Sequence, residues 1–204
     1  ISKRKGYTRL NSTDITGSPD ILGGIDAHFS GGTQKVLVFA GTDAWLFNNA
    51  TRTFTAQSET YTANAVPSLL MFANNLIVMN GSEARKYSGS AWSAVGGSPP
   101  LGGQVTIHNN RLVVAGVTGT PYQFFYSGVR NEASWDTTND VVLVTVPQGE
   151  EITGVGQLGT DLIVFTRHNT LLYWQNPSNK GDWDRIDVSN TIGNIAHHTY
   201  KPVT

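Results

Sequence analysis

The sequence predicts an all-β chain: a β-propeller with about four blades and a partial blade at each end. Three observations carry that expectation. Short apolar runs come in pairs joined by a polar turn, as in LIVF (162–165) and LLYW (171–174) on either side of TRHNT, which is the pattern of a β-hairpin. The hairpin recurs at residues 36–47, 76–87, 112–126 and 162–173, with starts 40, 36 and 50 residues apart. That spacing is close to the roughly 40–45 residues of a four-stranded propeller blade. Apolar residues nowhere recur at helical spacing for ten positions, so almost no helix is expected.

Taken in order, the blades fall at about 21–60, 66–100, 104–148 and 151–190 of a single domain, 1–204. Each hairpin is preceded by a small-residue strand: GGIDAHF (23–29), SLLMF (68–72), QVTIHN (104–109) and EITGVGQL (151–158). Each is followed by an aromatic that opens an outer segment: Phe54, Trp92, Trp135 and Trp183. VVLVTV (141–146), introduced by Trp135 and the turn-prone DTTND, is a further strand, read with the 162–174 hairpin as one up-and-down sheet. GGSPPLGG (96–103) reads as pure linker, because proline removes a donor and glycine offers nothing to pack. One four-stranded sheet cannot bury both of its faces, so neighbouring blades must stack. ISKRKGYTRLN at the start and TIGNIAHHTYKPVT (191–204) at the end each resemble one strand of a further unit. Four units with a partial unit at each end predict a piece of a larger propeller, with two apolar blade faces open.

Composition narrows the function. A net charge of −1 argues against a protein that coats nucleic acid or an anionic membrane. The absence of cysteine removes disulfide, thiol and cysteine-based metal chemistry. No apolar run approaches the ~18 residues of a membrane span, and no apolar run follows the charges of ISKRKGYTRL as a signal peptide would require. Charged residues are only 14% of the chain against about 25% in typical soluble domains, which suits a subunit buried in an assembly.

Several motifs point towards chemistry, and each has a structural reading. Gly154, Gly156 and Gly159 form a G-x-G-x-x-G pattern, but a strand-like run follows where a dinucleotide site needs a helix; the glycines instead let an inner strand approach the axis. The five histidines lack metal-ligand spacing, and His28, His108 and His197 fall on successive inner strands where they could line a channel. Glu150–Glu151 and Asp182, Asp184 and Asp187 read as turn and edge residues rather than a catalytic pair. Lys3, Arg4, Lys5 and Arg9 form the one basic cluster able to touch DNA phosphate. The five tryptophans are expected at one blade position, and Trp92, Trp135, Trp183, Tyr126 and Tyr173 as structural core. No catalytic residue, cofactor or metal is expected.

Four segments carry a family resemblance: KRKGY (3–7), FYSGVRNEASW (125–135), EITG (151–154) and LIVFTRHNTLLYW (162–174). They resemble the structural β-propellers of short-tailed bacteriophages, the tail-nozzle or packaged-DNA-stabilising proteins. The early motif of that family usually reads Lys-Arg-Pro-Gly-Tyr, and this chain has Lys5 in place of the proline. The resemblance implies a non-enzymatic virion subunit in the phage tail or neck. It further implies a homo-oligomeric ring around the DNA exit channel, with tail or portal/adaptor proteins as neighbours. A carbohydrate- or peptide-binding, lectin-like propeller is the alternative. The unequal loops AGTDA, NGSEA, AGVTGTPYQ and TRHNT favour the first, because a lectin propeller repeats one ligand set in every blade.

Overall fold

In the computed structural model, which describes residues 11–176, 179 and 181–195, the chain is all-β. Its described residues form seventeen strands in four antiparallel sheets, and one three-residue 3-10 turn at Ser30–Gly32. No helix among them is long and apolar enough to cross a membrane. The first sheet is β1 (Ile21–His28), β2 (Gln34–Ala40), β3 (Asp43–Asn48) and β4 (Thr53–Thr60). The second is β5 (Ser68–Phe72), β6 (Asn75–Met79), β7 (Ala84–Tyr87) and β8 (Trp92–Ala94). Both are simple meanders in chain order, as turns of two to five residues dictate.

The third sheet departs from the expected pattern. It holds β9 (Gly102–His108), β10 (Arg111–Val117) and β11 (Gln123–Gly128), and two short strands then share the outer position. β12 (Asn131–Trp135) pairs with the far end of β11, and β13 (Val141–Leu143) with its start. Trp135 therefore closes a strand instead of opening one. The break lies at Asp136–Asp140, where the Asp136 carboxylate accepts the backbone N–H groups of Thr138 and Asn139 at 3.1 and 3.0 Å, a turn that competes with the ladder. β13 belongs to this sheet and not to the 162–174 hairpin, and Val144–Val146 lie beyond it. The fourth sheet is β14 (Gly154–Leu158), β15 (Asp161–Phe165), β16 (Thr170–Gln175) and β17 (Trp183–Ser189), again in chain order.

Two boundaries moved for physical reasons. Gly102 and Gly103, expected as linker, open β9: a Cβ on Gly102 would sit 2.3 Å from the Ala115 carbonyl oxygen, so only glycine lets the backbones come this close. Residues 151–153 precede β14, because the Ile152 N–H is taken by the Pro121 carbonyl at 2.9 Å. The described part of the expected fifth unit, residues 191–195, holds no strand; residues 196–204 and 1–10 lie outside the described residues.

The core lies between the sheets, in three layers. Leu37, Phe39, Leu76, Val78 and Tyr87 fill the first joint, Ile77, Met79, Leu112 and Val114 the second, and Val113, Phe124, Tyr126, Leu162, Val164 and Tyr173 the third. Strand alternation explains why β6 and β10 read as continuous apolar runs: successive side chains face opposite joints, and both joints are apolar.

Candidate functional site

The first strands of the four sheets, β1, β5, β9 and β14, run beside one another in sequence order and border one open cleft of about 560 Å³. Its walls include Gly23, Gly24, Ser68, Leu69, Thr106, Ile107, Gly156 and Gln157. That volume is in the range of small-molecule pockets, ~300–1,000 Å³. Among the described residues the lining holds no acidic, basic or histidine side chain; its polar side chains are neutral, such as Ser68, Thr106 and Gln157.

A polar tie between β5 and β9 helps hold the lining in place. Ser68 Oγ accepts the Val105 N–H at 3.2 Å and donates to the Val105 carbonyl at 3.4 Å. The joints carry further ties near the periphery. Arg85 Nε lies 3.3 Å from Glu59 between the first and second sheets, and Lys86 Nζ donates to Glu132 at 2.8 Å between the second and third. Arg185 Nη1 donates to the Thr145 carbonyl at 2.6 Å beside the fourth. Burial pushes the Glu132 carboxyl upward, but the Lys86 hydrogen bond, a backbone hydrogen bond and the Lys86 charge together outweigh it and leave it below its ordinary value. Partly exposed pairs of this kind contribute about 0–1 kcal/mol each; their role is alignment.

The predicted site residues scatter. Trp92, Trp135 and Trp183 each pack against a different joint, the first, second and third in order. Tyr126 and Tyr173 are buried together in the third. Trp45 and Trp174, however, lie on third strands, so the tryptophans do not share one blade position; the side-chain period of two assigns them to different faces. His28 ends β1 largely exposed, 3.4 Å from Asp26. His108 leaves the channel altogether. Its alternation in β9 turns it into the third joint, 1% exposed, with its ring 5.2 Å from Trp183. Burial lowers its pKa, opposed by the negative charge of Asp161. His197, Lys3, Arg4, Lys5 and Arg9 lie outside the described residues.

Arg111, at the start of β10, was not singled out by sequence, yet it is 4% exposed. Its Nη1 donates to the Ser127 carbonyl at 2.7 Å, and its guanidinium lies 5.6 Å from the Tyr126 ring centre. The aromatic face and the backbone carbonyl hold the cation there, while its buried Nε has no hydrogen-bond partner among the described residues.

Glu150, from the candidate carboxylate pair, is committed to a turn. It accepts from Thr166 Oγ1 at 2.7 Å, the His168 N–H at 2.9 Å and Asn169 Nδ2 at 3.1 Å, and it pairs with the His168 ring. The His168 and Thr166 hydrogen bonds pull its pKa down to about 2. A carboxylate with all these partners fastens the β15–β16 turn and is not available as a general base at neutral pH. Gly154 and Gly156 stand in β14, Gly159 turns with φ +60°, and β15 follows directly, so no helix dipole is present for a pyrophosphate. Among the described residues no three acidic or histidine side chains gather where they could hold a metal ion.

No protein-family model matches the chain, and neither does any curated protein. Solved structures do resemble it. An extracellular domain of the putative one-component system BT4673 from B. thetaiotaomicron matches with a TM-score of 0.56 at 10% identity, covering 87% of this chain and 23% of its own. PorZ, a surface component of the type-IX secretion system of Porphyromonas gingivalis, gives 0.51 at 14% identity, with 77% and 21% covered. The N-terminal domain of Nup159 gives 0.50 at 11% identity, with 90% and 53% covered. The chain thus spans about half or less of each of these three proteins. At such identities the likeness is one of fold, and that fold is β-propeller-like. None of these three is described as a virion protein.

Proposed function

We propose that the four sheets are four blades of a β-propeller, and that the chain is a non-enzymatic structural subunit of a phage virion. In this reading it stands in the tail nozzle or neck, in a homo-oligomeric ring around the DNA exit channel, against tail or portal/adaptor proteins. The observation that carries the reading is the arrangement of the first strands: four of them border one cleft whose lining offers no reactive or charged group. The sheets around it are fastened to one another by dry apolar joints. Such a body transmits force and presents varied turns for contact; it does not turn over a substrate. Any grip on DNA belongs to the basic segment Lys3, Arg4, Lys5 and Arg9 rather than to the cleft, since phosphate binding needs cations.

The lectin-like alternative needs a repeated ligand set. The turns between second and third strands run from two residues at Gly41–Thr42 to five at 118–122, which favours specific protein contacts. The test is immunogold electron microscopy of purified phage particles with antibody against this chain. Label at the tail or neck is the expected result. Particles free of the protein, or a glycan array with a defined specificity, would overturn the reading.

A further inference from the structure

Side chains alternate along β2 and β3, so Leu37, Phe39 and Ala44 face the first joint. Val36, Val38, Ala40, Trp45 and Phe47 therefore face the opposite, outer side of the first sheet. Phe54 of β4 joins them, in register with Phe47 and with its ring 5.1 Å away. None of these six belongs to a joint between sheets. Ala40 is nevertheless only 1% exposed, and Trp45 only 8%.

Residues 11–19, which belong to no strand, lie across this face and are tied down at both ends. At one end, beside the β3–β4 turn, Ser12 N–H donates to the Arg52 carbonyl at 2.7 Å. Ser12 Oγ donates to the neighbouring Thr51 carbonyl at 3.2 Å. At the other end, Gly41 N–H donates to the Asp20 carbonyl at 3.0 Å. Pro19 packs there so closely that a Cβ on Gly41 would sit 2.9 Å from Pro19 Cβ. Between the anchors, Ser18 N–H closes a turn on the Ile15 carbonyl at 3.0 Å. Asn11, Ile15 and Pro19 are half-buried, and the polar residues between them are exposed. Ile15 and Pro19 share with Val38 and Phe54 the walls of a groove of about 410 Å³.

We infer that residues 11–19 are a strap that caps the first sheet, so that its outer face is occupied by the chain itself. Ile15 is the apolar contact, facing Val38 and Phe54 across the groove, and the exposed side of the strap is polar. A polar outer face of this kind is what the terminal unit of a stack requires. Another sheet or another protein could stack on this face only by displacing the strap. The strap needs nothing from the virion reading, which the labelling experiment tests separately.

The chain has no cysteine, so a pair of introduced thiols reports the contact directly. Ile15→Cys combined with Val38→Cys should form a disulfide within one molecule on mild oxidation. Ile15→Cys combined with Val188→Cys, in the fourth sheet, should not. The oxidised first pair should keep its strand content by circular dichroism and melt no lower than its reduced form. A second measurement uses the unaltered chain. Followed by NMR, the Ser12 and Gly41 amides should exchange with deuterium roughly tenfold or more slowly than in the unfolded chain. If the paired variant fails to fold, the amide measurement decides alone. A disulfide found only between molecules would seat the strap of a second copy on this face. No disulfide in the folded pair, or amides that exchange at the unfolded rate, would leave the face free for another sheet. Each of these results overturns the inference, as does an oxidised form that melts lower.

Discussion

Trp183→Ala probes the third joint, where the ring of Trp183 meets three others. Its centroid lies 5.2 Å from Phe124, 5.3 Å from Tyr126 and 5.2 Å from His108. Truncating a buried aromatic to alanine costs about 3–5 kcal/mol. Trp183 is only partly buried, which places the expected loss near the lower end, about 3 kcal/mol; edge-to-face ring pairs of about 0.5–1.5 kcal/mol each are already within that figure. For a chain of this size each kcal/mol lowers Tm by about 2–4 °C, so Tm should fall by roughly 6–12 °C. Urea and thermal unfolding followed by far-UV circular dichroism measure both quantities. They are best read at several protein concentrations, so that any association is separated from intrinsic stability. Thr137→Ala, at an exposed turn, is the control and should stay within about 0.5 kcal/mol. A His108→Ala partner variant should show non-additive loss, since the two rings touch. If Trp183→Ala costs less than about 1 kcal/mol, the third and fourth sheets are not held by this joint, and the stacking account fails.

Further outcomes follow from single residues. Burial lowers the His108 pKa, so the unfolded chain binds its proton more readily; stability is complete above about pH 6.5 and falls as pH drops below it. His108→Gln should flatten that fall between pH 7.5 and 5.5 in urea midpoints, and an unchanged slope would reject a neutral buried His108. Glu150, held at about 2, contributes stability above its ordinary 4.5 that is lost as pH descends towards 2; Glu150→Gln should blunt acid unfolding in that window. Gly97 has φ +74°, and a Cβ there would sit 1.8 Å from the Ala133 carbonyl oxygen. Gly97→Ala should therefore lower Tm clearly, while Gly119→Ala, with open space around it, should lose only the few tenths to about 1 kcal/mol of a positive-φ site. The Tyr61 hydroxyl is buried with no hydrogen-bond partner among the described residues, so Tyr61→Phe should be neutral or stabilising; a loss above about 1 kcal/mol would show that the hydroxyl is satisfied in solution.

Hairpins were the legible part of this sequence, because a hairpin is a local object. Two apolar runs and a short polar turn specify pairing between residues about eleven apart, as Leu76 with Tyr87 and Leu162 with Tyr173, without reference to the rest of the chain. The sheet count followed from repetition, and the exclusion of a dinucleotide site from the strand after Gly159. What the sequence could not assign was which face meets which neighbour. His108 and Ile107 are adjacent in one strand, yet one packs with the third joint and the other with the second; only the stacking of sheets decides what each face meets. The same holds for Trp135, whose side chain packs against the second joint while the pairing breaks after it at Asp136. Nothing in the sequence singled out Arg111, and it is a core residue because Tyr126 and the Ser127 carbonyl are brought over it by the next strand. Pairing within a sheet is written at short range, where hydrogen-bond register and side-chain alternation act. Burial between sheets depends on contacts among residues far apart in sequence, and for those only the tertiary structure supplies the partner.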